Sequence, residues 1–468
     1  MKRVTVIGGG ISGLATAWFL KRKCEEKGAR IELTLLEKEK FTGGKIRSIR
    51  EDGYLCEWGP NGFLDSKPQT LELCRALGIS GRLLRSSDNA RKRYIFSDGR
   101  LNRLPESPLS FLKSPLVSLP GKIRMALEPT PFIEKSPEGV DETLADFARR
   151  RLGSEALEKL IAPMVSGIFA GNPENMSLIS SFPRIAELER EYGGLVRAMM
   201  KLARKKRREI AEGKVVSSAA GPGGVLTSFR EGIQYLTDTL AISAGDGIRT
   251  GSAVSSITPG SLAPYMIRCE DGNVSEADIV VIAAPAYAAS AILTTLDPAI
   301  SSILDKIPYA SMTVVSFGYE RRRVNHPLDG FGYLAVKREG LSILGTLWDS
   351  SMFENRAPER CILLRSMMGG ACFPGHIDLD DDEVKRRVML DIKKTMGIDA
   401  EPDFSGIYRH RFAIPQYTVG HGERLATLSR EIAKHEGLFL TGNSYRGIGL
   451  NDCVAAAART AEELAPLL

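Results

Sequence analysis

Apolar positions along the chain fall into two kinds of pattern. Short β-branched or apolar runs that end in glycine occur at residues 4–7 (VTVI) and 438–442, and a further strand-like run, 31–36, ends at Glu37. The two that end in glycine predict buried strands. Between the runs 4–7 and 31–36 lies a stretch of small and apolar residues, 14–23, that predicts a helix. Strand, helix and strand in that order make a βαβ unit. Residues 279–285 (IVVIAAP) predict another buried strand, and residues 306–375 are strand-rich (VVSFGYE, FGYLAV, CILLRSMMGG). Helices are predicted at 68–77, at 235–242 behind an opening Gly221-Pro222-Gly223-Gly224, at 380–396 and from about 452 to 464. Residues 141–212 read as helical. Residues 101–140 set apolar side chains among Pro105, Pro108, Pro115, Pro120, Pro129, Pro131 and Pro137 with little periodicity. No internal repeat or low-complexity tail is present.

Composition narrows the classes. The 468 residues carry 63 Lys plus Arg against 57 Asp plus Glu, a net charge of +6. That mild bias does not point to a nucleic-acid binder, which concentrates its cations on one face. The five histidines (326, 376, 410, 421, 435) form no i, i+4 pair and no HExxH, so no metal site is expected. Seven scattered cysteines without a CxxC fit a reducing compartment, and a cytoplasmic location is expected. Residues 4–20 follow Lys2-Arg3 and imitate a signal peptide, but glycines interrupt the run and no A-x-A site follows. Residues 279–296 are eighteen uncharged residues broken by Pro285, better read as strand, turn and helix than as a membrane span.

The first βαβ unit carries the clearest chemistry. Gly8-Gly9-Gly10-Ile11-Ser12-Gly13 joins strand to helix. Gly8 permits the tight turn, Gly10 lets backbone approach a diphosphate, and Gly13 lets helix and strand pack closely. The helix start, at Ile11 and Ser12, offers free N–H groups and the positive end of the helix dipole. Glu37 ends the second strand 24 residues beyond Gly13, where an acid takes ribose hydroxyls. It disfavours a 2′-phosphate and hence NADP. Gly43-Gly44 then adds a second glycine pair, followed by Lys45, which favours FAD over NAD because a second backbone approach needs such residues.

From these residues a resemblance follows. GxGxxG, Glu37, then Gly43-Gly44-Lys45-Ile46-Arg47-Ser48 resembles the flavin-containing amine oxidase superfamily. Within it, further stretches are similar to the protoporphyrinogen oxidases, in order along nearly the whole chain. They are Glu57-Trp58-Gly59-Pro60-Asn61-Gly62-Phe63, Lys92-Arg93-Tyr94-Ile95, and Ser166-Gly167-Ile168-Phe169-Ala170-Gly171-Asn172 with Met176-Ser177. Leu344-Gly345-Thr346-Leu347 with Phe353-Glu354-Asn355-Arg356-Ala357-Pro358 continues the series. Ala413-Ile414-Pro415-Gln416-Tyr417 with Gly420-His421, and Gly442-Asn443-Ser444-Tyr445-Arg446-Gly447-Ile448-Gly449-Leu450, complete it. Lys45, Gly62 and Glu354 depart from the common Arg, Ser and Pro.

The resemblance implies an α/β flavoprotein of the two-dinucleotide-binding-domain type. A Rossmann-like FAD domain would come from residues 1–90, 213–305 and 425–468. A mixed-sheet substrate domain would come from 91–100 and 306–424, and a helical lobe from 101–212. It implies one FAD per chain, held by Gly8, Gly10, Ile11, Ser12, Gly13, Glu37, Lys38, Gly43, Gly44, Lys45, Gly59, Pro60, Asn61, Val254, Ala284, Gly442, Asn443, Ile448, Gly449 and Leu450. Cys453 lies inside the final helix, so the flavin is expected to be non-covalent. The implied reaction is oxidation of protoporphyrinogen IX to protoporphyrin IX in haem biosynthesis. It takes three flavin cycles, with O2 as acceptor and H2O2 as product, and no side chain is expected to be an essential general base.

Arg93 would hold a propionate, with a solvent-facing arginine beside Arg91 and Lys92 as the plain alternative. Leu334, Leu347 and Met367 would clamp the ring or simply fill a core. Asn61 would face substrate or serve its turn, and Gly167 would admit the ring or bend a helix. Coproporphyrinogen III is the close alternative substrate. An amine oxidase, a carotenoid desaturase and a non-enzymatic tetrapyrrole-binding flavoprotein stand further off. Six cations within residues 201–208, after an apolar 195–200, raise peripheral attachment to a lipid surface, with a solvated helix face as the alternative. Nucleic acid is not an expected partner. A second copy of the chain is a candidate one.

Overall fold

The computed structural model describes residues 1–130, 140–211 and 224–468. A five-stranded parallel sheet runs in the order Ile248–Arg249, Ile31–Leu36, Lys2–Ile7, Ile279–Ile282, Leu438–Leu440. Neighbours in space thus come from widely separated parts of the chain. The central strand Ile279–Ile282 lacks polar alternation because both its faces are covered. Val4, Val6 and Val281 pack under helices Ile11–Lys27, Gln234–Ala244 and Leu450–Leu464, through Leu14, Leu20, Leu236, Leu240, Val454 and Ala457. The alternate residues Ile7, Val280 and Ile282 face the other way. They meet Ile257 and Ile267 of the antiparallel sheet Val254–Pro259, Tyr265–Cys269, Val274–Ala277, and Ala289, Leu293 and Ile300 of helices Ala286–Leu293 and Pro298–Asp305.

A second, seven-stranded sheet runs Phe404–Pro415, Tyr309–Glu320, Cys361–Gly369, Ile343–Leu347, Gly332–Ala335, Tyr94–Ser97, Arg100–Arg103. The pair Gly332–Ala335 and Tyr94–Ser97 is parallel and the other pairs are antiparallel, so the sheet is mixed. Its outer face, with Val315, Phe317, Leu364 and Met368, packs on Val384, Val388 and Ile392 of helix Asp381–Met396.

The helical lobe includes Pro108–Lys113, Leu119–Ala126, Leu144–Arg151, Ala162–Phe169, Pro183–Tyr192 and Leu195–Ala211. The first two interrupt the stretch that lacked periodicity. Each is short, follows a serine N-cap (Ser107, Ser118) with Pro at its first or second position, and is set by its cap rather than by a repeating apolar face. Glu128, fully buried, accepts from the Leu195 and Val196 backbone N–H groups at 2.8 and 3.1 Å and so fixes the start of the last helix. The lobe is tied to the mixed sheet by Lys159 and Asp98, 3.0 Å apart.

The glycine-proline stretch expected to open a helix is a correction. Residues 221–223 lie outside the described residues, and beyond Gly224 the chain forms a strand, Leu226–Phe229, before helix Gln234–Ala244 begins. That strand is claimed by Phe63–Leu64 and Leu83–Arg85, between which it pairs antiparallel. Pro131, Pro137 and the 212/213 boundary also lie outside the described residues. Among the described residues no helix is long and apolar enough to cross a membrane.

Candidate active site

The glycine turn sits at the carboxyl ends of the parallel strands, where α/β sheets take their ligands. Helix Ile11–Lys27 starts at Gly10 without any side-chain cap, so its first N–H groups remain available. A Cβ on Gly13 would stand 1.9 Å from the Gly8 carbonyl oxygen, and one on Gly44 would stand 3.2 Å from Gly10 Cα. The two glycine motifs abut backbone to backbone, and the Gly43 N–H donates to the Gly9 carbonyl at 2.8 Å. The second pair is therefore needed first for the contact between turns, which leaves a cradle walled by peptide groups.

The other expected contacts gather around it. Glu37 is buried and accepts from the Gly9 and Glu39 N–H groups at 2.6 and 2.8 Å. The Ser252 N–H donates to the Glu37 carbonyl at 2.8 Å, which brings the chain leading into Val254 alongside the acid. Ala284 N would be 3.0 Å from a Cβ on Gly8, and Gly442, with φ of 117°, lies against Ser12 and the Ala283 carbonyl. The Asn443 carbonyl accepts from Tyr417 Oη at 2.6 Å. Ile448 is half-buried against the cluster of Leu144, Phe169 and Tyr417. The Gly449 N–H donates to Asp452 Oδ2 at 3.3 Å at the start of helix Leu450–Leu464, and Leu450 anchors that helix in the core. Lys38 is exposed and lies 3.4 Å from Glu39.

Lys45 points inward. Its ammonium donates to the Ala413 carbonyl at 2.5 Å and stands 5.3 Å from the centre of the Tyr309 ring. Burial lowers its pKa to about 8. The Cys453 thiol beside Ser12 is pushed up to about 11 by burial, and burial lowers His410, whose Nε2 is 3.0 Å from the Trp58 carbonyl.

Strand register places three of the apolar residues expected to clamp a ring. Leu334 pairs with Gly345 and Ile95, Gly345 pairs with Met367, and Leu347 pairs with Arg365. Directly opposed residues share a face, so Leu334, Leu347 and Met367 all lie on the inner face of the mixed sheet, opposite the helix-covered one. A Cβ on Gly167 would meet Leu334 Cδ2 at 2.8 Å, so the lobe packs on that face. Arg93 stands just before Tyr94–Ser97, exposed, with its guanidinium 5.4 Å from the centre of the Phe331 ring. Arg91 pairs with Asp88 and Lys92 with Asp329, whereas among the described residues Arg93 has no ion pair. Asn61 is half-buried, and its Nδ2 has no hydrogen-bond partner among the described residues.

Two buried ionic groups escaped the sequence reading. Arg365 forks onto Asp349 at 2.9 and 3.4 Å and donates to the Glu57 and Gly59 carbonyls at 3.3 and 2.8 Å. It thereby bolts the loop carrying Gly59, Pro60 and Asn61 onto the inner face. An arginine inside the otherwise apolar CILLRSMMGG was the available signal. Glu57 accepts from Ser48 Oγ at 2.5 Å and the Ile233 N–H at 3.0 Å, with Arg356 at 3.7 Å. Burial raises the Glu57 carboxyl and Arg356 opposes the rise. Gly62 departs from Ser because a Cβ there would stand 2.4 Å from the Thr227 carbonyl oxygen.

A peptide-walled cradle, a helix start without a side-chain cap, a lysine with no carboxylate partner among the described residues and an orphaned amide fit a dinucleotide beside an apolar wall. Comparison with known proteins agrees. The chain is 31% identical over 463 residues to coproporphyrinogen III oxidase of Bacillus subtilis, covering 97% of this chain and 96% of that one. It is 31% identical to the chloroplastic protoporphyrinogen oxidase 1 of Arabidopsis thaliana, covering 98% and 87%. A crystal structure from Exiguobacterium sp. 255-15, assigned as a protoporphyrinogen oxidase, superposes with a TM-score of 0.85 at 26% identity, covering 100% and 99%. The fold is shared more widely, with a reduced UDP-galactopyranose mutase at a TM-score of 0.74 and 15% identity, covering 100% and 96%. The family model of the flavin containing amine oxidoreductases matches residues 11–465, and the chain belongs to that family of flavin-dependent oxidoreductases.

Proposed function

We propose that this chain oxidises protoporphyrinogen IX to protoporphyrin IX in haem biosynthesis. The observation that carries the reading is the inner face of the mixed sheet. Leu334, Leu347 and Met367 form an apolar wall there, Arg93 stands at its edge with no ion pair among the described residues, and Arg365 fastens the Gly59 loop of the dinucleotide site onto the same face. A flat macrocycle with propionates needs that combination of apolar wall and cation. The bound FAD supplies two-electron acceptance, three times per substrate, with O2 as final acceptor and H2O2 as product. The protein's part is to hold the ring against the wall, to keep water out and to place the carboxylates. No side chain is assigned as an essential general base.

FAD is held without a covalent bond in this reading. Cys453 is buried, and its raised pKa leaves almost no thiolate to attack a flavin near neutral pH. Coproporphyrinogen III is the second reading, favoured by the names of the relatives from Bacillus subtilis and Staphylococcus aureus. The lobe would rest on a membrane from the cytoplasmic side. Leu109, Leu112 and Leu119 are 63%, 64% and 71% exposed, and the basic helix Leu195–Ala211 of the same lobe exposes Met199 and Met200. A homodimer belongs to the same proposal.

The test is anaerobic rapid mixing of the flavin-loaded chain with each porphyrinogen, followed at the oxidised flavin band. Fast bleaching with protoporphyrinogen IX is expected. Bleaching with coproporphyrinogen III alone would move the substrate to the second reading. No bleaching with either would overturn porphyrinogen oxidation.

A further inference from the structure

The C-terminal segment of the cradle begins at Gly442, where an added Cβ would stand 3.6 Å from Ser12 Oγ. The chain then turns through Asn443, Ser444 and Tyr445. Each of the three is gripped from outside. The Asn443 carbonyl accepts from Tyr417 Oη at 2.6 Å, the Ser444 hydroxyl accepts from the Ala286 N–H at 3.1 Å, and the Tyr445 carbonyl accepts from His421 Nε2 at 2.9 Å. The Tyr417 and His421 rings stack with centres 4.4 Å apart and planes 16° from parallel, so two of the grips form one unit. Both residues are buried.

That unit stands on the helical lobe. The Ser177 N–H donates to the Tyr417 carbonyl at 2.8 Å, the Gly420 N–H to Asp141 Oδ2 at 2.9 Å, and Gln416 Nε2 to the Phe169 carbonyl at 2.8 Å. Phe169 ends helix Ala162–Phe169, whose Gly167 packs on Leu334 of the apolar wall.

The residue types favour donation over packing. A carbonyl only accepts, so the His421 hydrogen sits on Nε2. Nδ1 is then left buried with no partner among the described residues. An unpaired buried nitrogen is destabilising, and phenylalanine would make the same stack without it. What histidine adds is the hydrogen bond to Tyr445.

We propose that Tyr417 and His421 are positioning residues for the flavin dinucleotide. They hold the turn of Asn443, Ser444 and Tyr445 in register with the lobe helix on the apolar wall, and the turn in that position holds the cofactor. This rests on the flavin reading above.

The experiment is titration of the deflavinated full-length chain with oxidised FAD, followed by flavin fluorescence, for the parent and three variants. Tyr417→Phe keeps the ring and removes only the hydroxyl, and should bind FAD about tenfold more weakly because a buried carbonyl loses its donor. His421→Phe keeps the stack and loses the donor, whereas His421→Gln loses the stack and keeps an N–H donor. The glutamine variant should bind FAD about fivefold more tightly than the phenylalanine variant. A role in packing alone requires the opposite order. Parental affinity in Tyr417→Phe, or binding by His421→Phe at least as tight as by His421→Gln, would overturn the proposal and leave the flavin reading intact. Tyr417→Phe loses one oxygen atom and decides the matter alone if a histidine variant does not fold. Failure of the parent chain to bind FAD would sink the flavin reading and this proposal with it.

Discussion

The glycine cradle and the inner face of the mixed sheet are joined through Arg365 and the Gly59 carbonyl but are built differently. The cradle is made of peptide groups, with clearances set by missing side chains: a Cβ on Gly13 would stand 1.9 Å from the Gly8 carbonyl oxygen. The sheet face is made of side chains, with Leu334, Leu347 and Met367 on three neighbouring strands. At Gly13 and Gly8 such a site has no graded substitutes, because an added Cβ collides with a neighbouring peptide. A side-chain wall can be trimmed one residue at a time. The cradle should therefore fail completely when altered, and the wall should fail by degrees.

Gly13→Ala is the sharpest test of the first half and has the largest expected effect. The folded chain should purify with almost no flavin, measured as the ratio of flavin to protein absorbance. Full flavin content would show that helix Ile11–Lys27 can shift, and that the cradle is not rigid. Next comes the bolt between the two halves. Arg365→Met leaves Asp349 buried without its partner and releases the Gly59 carbonyl, which should destabilise the protein by about 3–5 kcal/mol in denaturant unfolding. A change below about 1 kcal/mol would mean the ion pair is not what joins them.

The two faces of the mixed sheet sharpen the comparison further. Leu364→Ala, on the helix-covered face, should cost about 2–5 kcal/mol of stability. Leu347→Ala, on the inner face and only partly buried, should cost less and raise KM for the porphyrinogen instead. Equal losses of stability would show that Leu347 is core rather than wall. The smallest effect is expected at the edge. Arg93→Met should leave Tm nearly unchanged, because Arg93 has no ion pair among the described residues, and should raise KM about tenfold with little change in kcat. An unaltered KM would return Arg93 to the solvent-facing reading.

How much of this was legible in the chain varies with the range of the interaction. The glycine turn, Glu37 and the first helix follow from local sterics, so a single window of sequence contains them. The short helices Pro108–Lys113 and Leu119–Ala126 were hidden from periodicity, because their serine caps rather than an apolar stripe define them. Strand Leu226–Phe229 was missed because it exists through partners at Phe63–Leu64 and Leu83–Arg85, far away in the chain. Arg365 was visible as an odd charge in an apolar strand, but its role depends on the Gly59 carbonyl 306 residues away.

By itself, then, the sequence determined where backbone must approach backbone, which strands are covered on both faces, and which residue types a flavin and a ring would require. Those properties depend on φ, on missing side chains and on hydrophobic runs, and each acts within a few residues. The tertiary structure decided that Leu334, Leu347 and Met367 share a face. It also decided that among the described residues Arg93 has no ion pair while Arg91 and Lys92 do, and that Lys45 meets Ala413 across 368 residues. Strand register and burial decide these, and both are set by the packing of the whole chain, which no local window contains.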